Sequence, residues 1–114
     1  MDLLVSAIDG HLGRAEFNGR VYDCAIGRTG IVANKAEGDG ASPVGRFRLT
    51  QVLYRPDRGN PPATSIPCGA LTVTDGWCDA SEHADYNRAV TLPHPARCET
   101  MWREDGLYDI VVLT

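Results

Sequence analysis

The side chains here that could carry covalent chemistry are four cysteines, Cys24, Cys68, Cys78 and Cys98, and three histidines, His11, His83 and His94. A thiol near its free pKa offers only a few per cent thiolate at neutral pH, so a nucleophilic cysteine needs an imidazole within hydrogen-bond reach. Two local spacings could supply one. His94 and Cys98 stand four apart, which joins side chains on a helix, and Cys78 and His83 stand five apart. Pro95 restricts His94 to extended backbone, so the first pair is not expected to form. Cys98 then reads as a small buried thiol beside a surface histidine. Cys78 follows Trp77 in an expected loop, and its pairing with His83 is not expected either. No two cysteines have the C-x-x-C spacing of a zinc or redox pair, and no metal or cofactor is expected. The thiols read as buried or half-buried, and disulfides become an option only on export.

Non-covalent recognition points to a different set. Trp77, Asp79, Tyr86 and Asn87 combine flat amphipathic surfaces with polar anchors, which suits a peptide groove. The alternative is that Trp77 packs on a sheet and Asp79 caps a loop. Gly38-Asp39-Gly40 lacks the G-x-x-x-x-G-K-[ST] order of a phosphate cradle. It reads as a tight turn with Asp39 bonding its own backbone. Lys35 and Glu37 suit a surface pair, worth under ~1 kcal/mol. Met101 and Trp102 read as core. His11 lies in an exposed hairpin.

The elements that must position these residues are mostly strands. The chain has 114 residues, 43% hydrophobic, with a formal net charge of −4. That size bounds one domain with a modest core. Arginine and lysine form no basic run, which argues against a nucleic-acid groove. The N-terminus has no signal-peptide pattern and is too short to span a bilayer. A cytoplasmic protein and one whose leader is missing both remain open, so the compartment is unknown.

Leu3–Ile8, a turn at Asp9-Gly10, a segment to Phe17, the hairpin dipeptide Asn18-Gly19 and a return strand over Val21–Ile26 predict a β-meander. Phe47 and Leu49 alternate with polar neighbours and predict a half-buried strand. Residues 56–69 predict a long irregular connection, and Leu71–Thr74 a short strand. Ala96–Arg103 predicts a helix, with Pro95 in its first turn and Cys98, Met101 and Trp102 on its inner face. From Ile110 to Leu113 the chain is apolar on both faces, which predicts a central strand. A central strand at Thr114 fits a chain cut short.

Three blocks carry a family resemblance. The first is Gly27-Arg28-Thr29-Gly30 with Lys35-Ala36-Glu37-Gly38-Asp39-Gly40-Ala41-Ser42-Pro43-Val44-Gly45-Arg46-Phe47, where Ser42 stands at a usual threonine. The second is Asp75-Gly76-Trp77-Cys78-Asp79 with Tyr86-Asn87-Arg88. The third is Glu99 with residues 101–109. Together they resemble the L,D-transpeptidase catalytic domain (YkuD-type). The resemblance implies a β-sandwich, incomplete here, with one or two short helices. It implies residues 1–114 as a partial catalytic domain, peptidoglycan stem peptides as partner and a cell-envelope location. The family's catalytic histidine and serine/threonine-x-glycine-cysteine segment align to nothing in this chain, so no catalytic residue is assigned and the chain is expected to be inert. A second class is a non-catalytic module that binds cell-wall peptide or a protein, or self-associates, through an exposed strand edge. A third is an all-β interaction domain unconnected with the wall.

Overall fold

A computed structural model describes residues 1–114, and every regular element in it is a β-strand. No helix is long and apolar enough to cross a membrane. The chain divides into two compact units, Met1–Arg46 and Phe47–Thr114.

The first unit opens with the expected meander: β1 (Leu4–Asp9), β2 (Leu12–Phe17) and β3 (Arg20–Ala25), paired antiparallel in that order. Its second turn follows from local chemistry. Asn18 and Gly19 both hold positive φ, 50° and 77°, the condition for a type I′ turn that matches strand twist. The register then places Phe17 opposite Arg20 and Gly13 opposite Cys24. Downstream, β4 (Ile31–Val32) and β5 (Ser42–Pro43) form a short parallel pair. Gly27 packs against Ala41 so closely that a Cβ would lie 2.5 Å from backbone, and its N–H donates to Ser42 Oγ at 2.9 Å. Asp39 ties the loop between β4 and β5. Its carboxylate accepts from the N–H of Ala36 and of Ala41, each at 2.8 Å, and from Lys35 Nζ at 2.7 Å. The tight-turn reading of this segment therefore holds, and Lys35 pairs with Asp39.

The second unit holds two three-stranded sheets. One has the order β11 (Ile110–Leu113), β6 (Gln51–Tyr54), β7 (Cys68–Ala70). The other has the order β10 (Cys98–Thr100), β8 (Asp75–Cys78), β9 (Ala89–Thr91). Its buried apolar residues are Val52, Leu71, Cys78, Ala80 and Met101.

The mostly β class holds, with four corrections in detail. Phe47 and Leu49 are exposed and outside any strand, and pairing starts at Gln51. Leu71–Thr74 is a turn, because Asp75 folds back to accept the Thr72 N–H at 2.8 Å. The helix over Ala96–Arg103 is absent. Eight residues make a marginal helix, whereas Cys98–Thr100 gains a ladder to β8. Finally, β11 is an edge strand rather than a central one: it pairs with β6 alone, and Ile110 and Val112 are 60% and 45% exposed.

Candidate active site and thiol cluster

The second unit brings together what the sequence spacing argued apart. Residues 92–97 turn between β9 and β10, and the turn, not a helix, carries His94 back to Cys98. The Ala96 N–H donates to His94 Nδ1 at 3.1 Å. Nδ1 is therefore an acceptor and Nε2 carries the proton, which it donates to Asp85 Oδ2 at 2.9 Å. Cys98 Sγ lies 3.5 Å from Nδ1 and 3.4 Å from the Ala96 carbonyl oxygen. Asp85, His94 and Cys98 thus stand in the order carboxylate, imidazole, thiol. His83 meets His94 edge-on, ring centres 5.0 Å apart, and its Nδ1 accepts the Asp85 N–H at 3.0 Å.

This order is that of an activated cysteine, but the electrostatics oppose one. Burial, with the neighbouring Cys78 sulfur second, pushes the Cys98 thiol above its ordinary pKa. The hydrogen bond from His94 holds the Asp85 carboxyl below its usual range. Asp85 is thus an anion that orients the imidazole, while Cys98 stays a thiol at neutral pH. The half-buried Cys98 sulfur also stands off the cleft. The nearest cleft, of about 490 Å³, is lined by Asp75, Asp85, Arg88, Ala89, Val90, Thr91 and His94, with neither sulfur among them.

Cys78 is fully buried on β8, not in a loop. It stands directly opposite Cys98 in the antiparallel ladder. Cys24 and Cys98 are half-buried and Cys68 is exposed, all as free thiols.

Of the four expected groove residues, Trp77 lies on β8, Asp79 directly follows it, and Tyr86 and Asn87 come just before β9. Trp77 Nε1–H donates to the Asn87 side-chain oxygen at 3.1 Å. Asn87, at φ 58°, donates its N–H to the Cys78 carbonyl at 2.8 Å. Asp79 accepts from Arg97 Nε at 3.1 Å, and the Tyr86 N–H donates to the His83 carbonyl at 3.0 Å. The fold joins Trp77 to Asn87 and gives Asp79 a separate partner. What spacing analysis missed is the assembly of Cys78, Cys98, His94 and Asp85. Its sequence trace is the four-residue spacing of His94 and Cys98, which a turn closes without a helix.

The third sequence block knits the unit together. Arg55, 4% exposed, forks onto Asp57 at 2.9 and 3.0 Å, donates to the Arg103 carbonyl and lies over the Trp102 ring. Met101 is core, as expected, and Trp102 is half-buried under Arg55. Tyr108 donates to Glu99 at 2.8 Å. Burial first, and then the Glu99 anion, raise the Tyr108 pKa. Arg58 pairs with Asp109 at 2.8 Å.

Motif residues are thus tied to one another within each unit. A family model for the L,D-transpeptidase catalytic domain matches residues 10–111. The chain belongs to the L,D-transpeptidase catalytic domain family. No curated protein and no solved structure matches it. For a member of the L,D-transpeptidase family, the conspicuous property of this site is a half-buried thiol beside a histidine and directly opposite a second, fully buried thiol.

Proposed function

We propose that this chain provides scaffold for cysteine acyl transfer on peptidoglycan stem peptides, and that residues 1–114 alone do not turn over. The carrying observation is the state of Cys98. It is the cysteine with a histidine in hydrogen-bond reach, yet it is held protonated and does not line the cleft. Acyl transfer needs a thiolate to attack the stem carbonyl, a base that takes the thiol proton and gives it to the amine of the departing D-alanine, donors for the oxyanion, and an incoming amine to release the thioester. A sulfur that faces a second thiol meets the first requirement poorly. Trp77, Asp79, Tyr86 and Asn87 are proposed to border the peptide path, with Trp77 and Asn87 acting as one hydrogen-bonded unit.

The test is a coupled assay for D-alanine release from a tetrapeptide stem. No release is expected from residues 1–114. Release that disappears in Cys98→Ser would overturn inertness and make Asp85, His94 and Cys98 a working triad.

The edge position of β11 favours a second reading. An apolar edge strand with exposed Ile110 and Val112 is a template for strand addition. Under this reading the chain binds wall peptide or a protein there. Size-exclusion chromatography with and without muropeptide separates the two: a monomer that binds muropeptide supports the binding module, and a swapped dimer or aggregate with no binding counts against it.

A further inference from the structure

Cys78 Sγ, Cys98 Sγ and one His94 ring nitrogen lie within 4.8 Å of one another. The chemistry of this set is that of a thiolate-rich metal site. We propose that Cys78, Cys98 and His94 Nδ1 bind one zinc-class divalent ion, with Asp85 holding the imidazole from the far side of the ring.

Four observations converge. First, the register makes the sulfurs neighbours. Asp79 N–H bonds the Arg97 carbonyl and Met101 N–H the Asp75 carbonyl, at 3.2 and 3.0 Å. These fix Cys78 and Cys98 as the non-hydrogen-bonded pair between them, the kind whose side chains approach most closely. Second, the spacing of the donors fits. Zn–S near 2.3 Å and Zn–N near 2.05 Å at a tetrahedral angle give an S···N edge of about 3.6 Å, against 3.5 Å from Cys98 Sγ to His94 Nδ1. Third, the tautomer is right. Nδ1 carries the lone pair and Nε2–H is given to Asp85, the carboxylate–histidine–metal arrangement that orients ligating histidines. A bound ion would take the Nδ1 lone pair from the Ala96 amide. Fourth, the site is sheltered: Cys78 is fully buried and the His94 side chain is 10% exposed.

Soft thiolates select zinc over magnesium or calcium. No fourth histidine, cysteine or carboxylate joins the three, so water or an external ligand completes the tetrahedron. A second group, His83, Asp85 and His94, also lies within 4.8 Å. Its members already satisfy one another by hydrogen bonds, and it offers no thiolate. The ion would cross-link β8, β10 and the turn carrying His94.

The test uses the whole chain in reducing buffer. Zinc competition against a chromophoric chelator is expected to give one equivalent bound. Cobalt in its place is expected to give a thiolate-to-metal charge-transfer band and strong tetrahedral d–d bands. With zinc present, alkylation mapped by mass spectrometry is expected to spare Cys78 and Cys98 and to label Cys24 and Cys68. That readout needs no variant, so it stands even if Cys78→Ser fails to fold. Cys98→Ser and His94→Gln are expected to lose the ion, the Cys24→Ser/Cys68→Ser double variant to keep it, and Asp85→Asn to weaken it roughly 10–100-fold. A cobalt spectrum without the charge-transfer band, equal labelling of all four cysteines, or loss of binding in Cys24→Ser/Cys68→Ser would overturn the proposal. So would recovery of Cys78 and Cys98 as a disulfide with no metal taken up.

Discussion

The Arg55 guanidinium lies over the indole of Trp102, its carbon 3.9 Å from the ring centre. The same group forks onto Asp57 and caps the Arg103 carbonyl, so one cation closes the loop that leads into β11. A planar fork can stack and bond at its edges at once, which an ammonium cannot do. Arg55→Lys is therefore expected to lower the urea midpoint clearly. Arg20→Lys, at an exposed strand position, should leave it within error. Equal midpoints for Arg55→Lys and the parent chain would remove Arg55 from its central role.

Leu71 is 2% exposed, and Val73, two residues on, is 65% exposed. Leu71→Ala should cost about 2–5 kcal/mol through lost transfer energy and the cavity left behind. Val73→Ala should stay within about 0.5 kcal/mol. Denaturant melts of both variants check the contrast. A similar cost at both positions would mean that residues 71–74 form the strand expected from sequence and not a turn.

Gly19 sits at φ 77° with open space around its missing Cβ. Gly19→Ala therefore isolates backbone strain from steric clash, and should destabilise the meander by about 1–2 kcal/mol. Amide exchange in Met1–Arg46 would report it as faster opening of β2 and β3. Unchanged protection would refute the type I′ assignment.

Asp39 has its carboxyl pKa lowered from 3.8 to about 2, chiefly by the Ala36 N–H, then by Lys35 and the Ala41 N–H. A folded pKa depressed below the unfolded one adds stability above the unfolded value. That stability is lost as pH falls through the folded value. The loop between β4 and β5 is thus expected to keep its order to about pH 4 and to loosen progressively toward about pH 2. Asp39→Asn should be less ordered at neutral pH and lack this acid step. Amide chemical shifts of Ala36 and Ala41 followed against pH check both statements, and an Ala41 shift that titrates identically in the variant would contradict them.

Turn chemistry and short-range bonding were legible in the residues themselves. Asn18-Gly19 dictates positive φ whatever surrounds it, and Asp39 finds its backbone partners within three residues. The mostly β character and the family likeness came from the same local patterns. Periodicity failed where a distant ladder competed: Cys98, Met101 and Trp102 share a helical face on paper, but pairing with β8 claims Cys98–Thr100.

The meeting of Cys78 with Cys98 and His94 could be decided only in three dimensions. A register between strands twenty residues apart sets it, together with a turn that carries His94 Nδ1 to the sulfur and Nε2 to Asp85. Spacing along the chain describes neighbours on one element. Which residue of a second strand lies opposite depends on the register between segments, where a slip of one residue would turn every side chain to the other face. The same physics put β11 at a sheet edge, where its apolar composition alone had argued for the centre.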